Sequence, residues 1–434
     1  MIKVFSALVL CGLLANSVSA QTLVVKAQQI HTVSGKTIAN GVVICVDGKI
    51  ASIGDAASVV IPDGAKIVEA QIVTPGLIDV RSSVGLSGIL NVDHDSDHLE
   101  SSTPLQPELR AMDAYNPREE LVEYVRGFGI TTVHTGHAPG ELISGQTMIA
   151  KTRGGTVQDA LIMDGKAVCA TLAESSQKPG KQSPGTRGKQ MAMLRSLLIE
   201  ALEYRSKTAK AAKDDDNKKT ASNKDVGNKD ASNKEEPNKS GAEESKVARS
   251  LKLEALVDVL DGKKALVITA DRAQDIASAL RLGEEFGVRI WLDSAAEAYQ
   301  LLPQIKKAGV PVLLHASMAR ASGDRENMTF RSAALLRENG IPFAIESGFE
   351  AYVPKVRIVL FEAALAAAHG LSKEDALASI TLSPAQILGI SDRVGSIEVG
   401  KDADLALYDG DPFEYTTHCT GVVIDGVVYP GESR

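Results

Sequence analysis

Two runs of short β-strands, one at each end of the chain, bracket a middle in which strands and helices alternate, and this arrangement limits the fold more than any other feature. At the start, Leu23–Val25, Gly41–Val46 and Lys49–Ile53 are rich in branched residues, and Asp47-Gly48 between the last two is a hairpin signal. The end of the chain repeats the style, with Asp404–Tyr408, Gly421–Ile424, a second Asp-Gly at 425–426, and Val427–Tyr429. In the middle, apolar runs at 265–269, 288–292, 310–314 and 342–345 alternate with helical patterns at 272–285, 295–307, 332–338 and 356–369. Strand-then-helix repetition requires right-handed crossovers between parallel strands, hence a barrel or a doubly wound sheet. The two β-rich ends are expected to fold together as one composite domain.

One tract fits neither part. Residues 207–246 are dominated by Lys, Asp, Glu, Asn and Ser, Val226 is their only branched aliphatic residue, and Asn-Lys recurs at 223, 228, 233 and 238. Such a tract cannot bury enough apolar surface to offset its ordering entropy, so a disordered insertion is expected there. Helical patterns on both sides, at 191–204 and 247–260, place it within a helical region.

The first twenty residues read as a signal peptide: Lys3, a short apolar stretch over 4–15, and the small-residue site Val18-Ser19-Ala20 before Gln21. The expectation is export to a periplasmic or extracellular compartment. No later stretch approaches the 18 or so uninterrupted apolar residues that a membrane span needs. Leu10 before Cys11 is too bulky for a lipid-attachment box. Beyond the signal stand Cys45, Cys169 and Cys419, an odd and scattered set that makes no disulfide framework. A net charge of -8 and 4% aromatic residues argue against nucleic acid as a partner. A small-molecule ligand or substrate is the expected partner, and a homo-oligomer is compatible with the sequence.

Ile72-Val73-Thr74-Pro75-Gly76-Leu77-Ile78-Asp79 resembles the start of the first barrel strand in the metal-dependent amidohydrolase superfamily. Residues 383–389 (Ser-Pro-Ala-Gln-Ile-Leu-Gly) and 392–405, which include Val394-Gly395-Ser396-Ile397 and Lys401-Asp402-Ala403-Asp404-Leu405, resemble that superfamily's return into its small β domain. More narrowly, the chain is similar to the imidazolonepropionase-like branch. The resemblance implies a (β/α)8 TIM-type barrel over 75–394 and a small β-sandwich built from 21–74 and 395–434. It implies as well a hydrolase of C–N bonds (amide, cyclic amide or peptide-like) working through one or two divalent cations at the C-terminal face of the barrel.

The residues that hold those cations in the family are not found here. The paired histidines of the first strand fall at Arg81 and Ser83, the fifth-strand histidine at Thr269, the sixth-strand histidine at Ser294, and the eighth-strand aspartate at Gly348, or at Glu346 in a shifted register. A guanidinium stays protonated and has no acceptor atom, so Arg81 cannot ligate a cation. The expectation is a degenerate site with no metal cofactor and no assigned catalytic residue. Its pocket mouth holds Arg81, Ser83, Thr269, Asp271, Ser294 and Glu346, with Arg81 facing a small anionic ligand and Asp271 as a counter-ion. The alternative is an active hydrolase whose divalent metal, such as zinc, has moved to ligands drawn from His94, His98, His134, His137 and His315, with Glu346 as a further candidate. At least three of these must then converge on one point.

Overall fold

The computed structural model describes residues 22–431, apart from 91, 179, 181, 223–246, 316, 319–320 and 350–357. The expected signal peptide and the second half of the polar tract lie outside the described residues. Two sheets organise the rest, one of seven strands and one of eight.

The seven-stranded sheet combines both chain ends. Strands β1 (Thr22–Ile30), β2 (Ile38–Val46), β3 (Lys49–Asp55) and β4 (Lys66–Pro75) come from the start. Strands β13 (Leu405–Tyr408), β14 (Cys419–Ile424) and β15 (Val427–Pro430) come from the end. The join is β13 against β4, antiparallel, with Leu405 opposite Pro75. The two ends do fold together into one small β domain, as expected, with its strands hydrogen-bonded in the order β15-β14-β13-β4-β1-β2-β3. Leu23, Val25, Val43 and Val73 pack on one face with Ile397 and Ala403, while Val24, Val42 and Ile44 pack on the other against Val59, Ile61 and Ala65.

The eight-stranded sheet is a nearly closed barrel with helices outside it. Its strands are β5 (Leu77–Ser82), β6 (Ile130–Thr135), β7 (Ile143–Lys151), β8 (Leu161–Thr171), β9 (Ala265–Thr269), β10 (Ile290–Ser294), β11 (Val312–Leu314) and β12 (Phe343–Ile345). Parallel pairing was expected throughout, yet β7 runs antiparallel to both β6 and β8. Only residues 136–142 separate β6 from β7, too few for the dozen or more residues of a parallel crossover. Between β12 and β5 the ladder is replaced by chain from the end of the barrel: Ile345 N donates to Ser379 O at 3.0 Å and Ile78 N to Ile380 O at 2.8 Å. Gly76 sits at the junction of the two sheets, where a Cβ would come within 2.1 Å of Thr131 Oγ1, so no larger residue fits.

The helical expectations hold at 273–286, 332–338, 359–368 and 251–260. The single helix expected at 295–307 is a short 3-10 turn, Ala298–Gln300, followed by the helix Leu302–Ala308 with Pro303 in its first turn. The helix Arg187–Ser222 carries the start of the polar tract, so residues 207–222 are helical rather than irregular. Its Lys, Ala, Glu and Arg residues favour helix, and neither glycine nor proline occurs between Lys189 and Val226.

Candidate functional site

Side chains along a strand alternate between faces, and this sets the floor of the site. Val267 of β9, Trp291 of β10, Leu313 of β11 and Ala344 of β12 share an apolar interior layer with Ile78, Val80, Ile149 and Ala265. Two residues further on, at the C-terminal ends of the same strands, the layer above is polar: Thr269, Asp293, His315 and Glu346, all buried. From β5, Arg81 joins them. A cleft of about 460 Å³ opens over this layer.

All six residues expected at the pocket mouth line the cleft: Arg81, Ser83, Thr269, Asp271, Ser294 and Glu346. Their pairing differs from the expectation in one respect. Arg81 Nε lies 3.6 Å from Asp293 Oδ1, and Nη2 donates to His137 O at 2.5 Å. Asp271, expected as its counter-ion, instead accepts from Ser294 Oγ at 2.6 Å and from Ala296 N at 3.2 Å, and stands 3.8 Å from Arg325 Nε. The separation follows from parity, because Asp293 sits on the interior face of β10 while Asp271 belongs to the loop after β9. Ser294 and Ala295 both have positive φ, 68° and 54°. Such strain at non-glycine residues concentrates where a function or a tight packing demand holds it in place.

The floor is rich in carboxyl groups around one guanidinium. Asp79 accepts from Ser347 N at 3.1 Å and from Ser347 Oγ, and burial pushes its pKa up to about 7. Burial, together with the Asp293 charge, raises Glu346 well above the usual carboxyl range. Thr269 Oγ1 donates to Asp293 Oδ2. Arg81 carries less than a twentieth of its surface to solvent, and the surrounding Cys169, Asp293, Glu346 and Asp79 hold its guanidinium in the charged form against burial.

The histidines do not gather. His94 is exposed on the short turn Asp93–Asp95. His98 is half-buried, its ring 5.0 Å from that of Phe349 at the cleft edge, and burial lowers its pKa. His134 is fully buried and satisfied, with Nδ1 2.6 Å from Val80 O and Nε2 2.7 Å from Thr147 Oγ1; burial lowers its pKa to about 3. His137 is buried too, brought down to about 4 by burial and then by Arg81. His315 follows β11, with its backbone N on Ser294 O. Among the described residues no three His, Cys, Asp or Glu side chains group so as to hold a metal ion.

The sequence pattern of the amidohydrolase family matches residues 290–430. An amidohydrolase from Thermotoga maritima superimposes with a TM-score of 0.82 over 94% of this chain and all of its own, at 25% identity. The chain belongs to the amidohydrolase superfamily. Its likeness to the imidazolonepropionase branch is local: the Shewanella oneidensis imidazolonepropionase is 40% identical over 76 residues, 17% of this chain and 19% of that one. Amidohydrolase tasK of Hapsidospora irregularis is 23% identical over 389 residues, 84% of this chain but only 37% of the relative. The chain thus matches well under half the length of either relative. An adenosine deaminase from Xanthomonas campestris shares the fold at 14% identity and a TM-score of 0.52.

Members of the superfamily usually hold metal at this mouth, and the donor set here does not fit one. A hard or borderline cation needs several oxygen or nitrogen acceptors converging on a point. The centre of this floor is taken by a permanently charged guanidinium in contact with the Asp293 carboxylate, one of the available oxygens. The remaining groups facing the cleft include the hydroxyls of Ser83, Thr269 and Ser294, weak ligands at best. Residues not foreseen from sequence complete the lining, among them Ser82, Glu174, Asp293, Asp324 and Arg325. Asp293 was legible: counting two from Trp291 along β10 puts it inward. Arg325 and Asp324 come from the loop after β11, whose path no local pattern shows.

Proposed function

We propose that this amidohydrolase-fold protein is exported, has lost the metal-dependent hydrolysis of its superfamily, and binds a small molecule in the cleft at the C-terminal face of the barrel. The observation that carries the reading is the Arg81–Asp293 contact on the cleft floor. A guanidinium there supplies the positive charge that a cation supplies in relatives, neutralises a buried carboxylate, and repels any divalent ion approaching the same point. Arg81 is nearly sealed from solvent and already donates to His137 O, so a bound anionic group meets Arg325 instead. The Arg325 side chain is about a third exposed, lines the cleft, and among the described residues has one ion pair, at 3.8 Å with Asp271.

Two measurements test this. Elemental analysis of mature protein, dialysed with zinc and manganese present, is expected to find no stoichiometric metal; tightly held metal at one per chain overturns the reading. Trp291 is the only tryptophan and lies directly beneath the polar floor. Small mono- and dicarboxylates should therefore change its fluorescence saturably, and Arg325→Gln should weaken that binding at least tenfold. A response unaltered by Arg325→Gln removes the anion contact from the proposal.

A further inference from the structure

A second cavity, of about 320 Å³, lies between the helices Arg187–Ser222 and Ala273–Phe286, and its lining shares no residue with the cleft. Arg187, Gln190 and Arg195 reach it from the first helix; Asp275, Ser278 and Arg281, each three residues from the next, reach it from the second. Three guanidiniums thus open on one small space in a chain whose net charge is -8. Much of their donor capacity is unspent. Arg187 commits its Nε to Asp275, at 2.9 and 3.1 Å, and Arg195 commits its Nε to Glu285, at 2.8 and 3.0 Å. Arg281 donates from Nη2 to Ser278 Oγ at 2.8 Å and has no carboxylate partner among the described residues. The first helix begins at this cavity, so the positive end of its dipole adds to the three charges.

Gln190 supplies a second, independent sign of a ligand. It lines the cavity and is 0% exposed. Its Nε2 donates to Ala173 O at 2.9 Å and to Ser176 Oγ at 2.6 Å, while the Ser176 hydroxyl spends its own proton on Thr171 O at 2.8 Å. Those contacts fix which end of the amide is nitrogen, since a flip would set Oε1 against the Ala173 carbonyl. Oε1 is left buried with no partner among the described residues. An acceptor in that state is costly unless something donates to it.

We propose that this cavity binds a phosphoryl group carrying a P–OH, as free hydrogenphosphate or as a singly protonated monoester. The guanidiniums of Arg187, Arg195 and Arg281 take its charged oxygens, the pairing for which their planar forks are suited. Gln190 Oε1 accepts the P–OH proton. Sulfate carries no proton at neutral pH and leaves Oε1 unsatisfied, and a site built around a hydroxyl rejects the analogue that lacks one. Asp275 is neutralised by Arg187 and does not turn the anion away. The site stands apart from the binding reading above and does not rest on it.

The test is calorimetric titration of full-length mature protein with inorganic phosphate, sulfate and methyl phosphate at about pH 6, where roughly half of a monoester keeps its P–OH. One phosphate per chain is expected, held at least about tenfold more tightly than sulfate. Arg281 is exposed and has no ion pair to lose, so Arg281→Gln should weaken phosphate at least about tenfold and leave thermal unfolding unchanged. Gln190→Met should bring phosphate and sulfate to within about threefold of each other. Arg325→Gln, in the cleft, should leave phosphate binding as it is. Methyl phosphate bound as tightly as phosphate assigns the site to monoesters, and bound more weakly assigns it to the free ion; either supports the proposal. No saturable heat with phosphate or methyl phosphate at millimolar concentration overturns it, and so does sulfate bound as tightly as phosphate. Phosphate binding lost in Arg325→Gln but kept in Arg281→Gln places the anion in the cleft, which overturns this site while supporting the reading above.

Discussion

Removing the charge of Lys151 should cost this fold more than any substitution at its surface. Lys151 ends β7 and is 2% exposed, and its ammonium contacts Asp402 at 2.8 Å, Asp404 at 3.1 Å and Asp425, all from the far end of the chain. It therefore ties the barrel to the β domain through a buried cluster. Replacing it with methionine keeps the volume and deletes the charge. Breaking a buried ion pair by removing one partner costs about 3–5 kcal/mol, because the other charge is left uncompensated. Here the three carboxylates differ. Asp402 keeps Lys49 at 2.5 Å and Arg393 at 2.8 Å, and Asp425 keeps Arg153 and has a quarter of its side chain in solvent. Among the described residues Asp404 keeps no other cation, and burial already raises its pKa to about 6 even with Lys151 beside it. The penalty thus falls mainly on Asp404, and the lower end, about 3 kcal/mol at pH 7.5, is expected for Lys151→Met.

The same argument fixes the pH dependence. A carboxyl whose folded pKa is raised binds its proton more tightly when folded, so its contribution is present at low pH and lost as pH rises through that value. Without Lys151 the Asp404 pKa rises further, and protonation then relieves the penalty. Urea unfolding of wild type and Lys151→Met at pH 7.5 and 5.5 should show the deficit shrink by roughly 1.4 kcal/mol for each unit by which the Asp404 pKa has moved across that window. Adding Asp404→Asn to Lys151→Met should recover about half of it at pH 7.5. A loss under about 1 kcal/mol, or one equal at both pH values, refutes the reasoning.

Other expectations concern the site and the thiols. Asp79→Asn should flatten the wild-type loss of stability between about pH 4 and 7, since the raised Asp79 pKa contributes stability at low pH that disappears through about 7; an unchanged pH profile in urea melts refutes this. Arg81→Met should destabilise by about 2–4 kcal/mol at pH 8, because the buried Asp293 loses its contact with the Arg81 guanidinium, as read by calorimetry; a loss under about 1 kcal/mol contradicts this. Cys45 and Cys419, whose thiols burial pushes up to about 12, should react with a thiol reagent only after unfolding. Rapid titration of either in native protein contradicts the burial of Cys45 and the partial burial of Cys419. Mass spectrometry of protein recovered from an exporting host should find the chain beginning at Gln21; an intact Met1 refutes the signal peptide.

Much of the architecture was written locally. Branched strands with Asp-Gly turns at both ends, the Pro75-Gly76 junction and the strand–helix rhythm from 265 onward identify a composite β domain on a barrel, because hydrophobic period and turn chemistry are properties of a few neighbouring residues. Aligning the motif after Asp79 also placed Arg81, Ser83, Thr269 and Ser294 at strand ends that all open on one cleft. What sequence left undecided depended on distant partners. Which strands join the two ends was settled by β13 pairing with β4 across some 330 residues of chain. The reversed β7 followed from a connection too short to cross over, and the helix through Ser222 from propensity outweighing a polar composition. Arg81 chose Asp293 over Asp271 because inward parity, not sequence distance, decides which charges share the barrel interior.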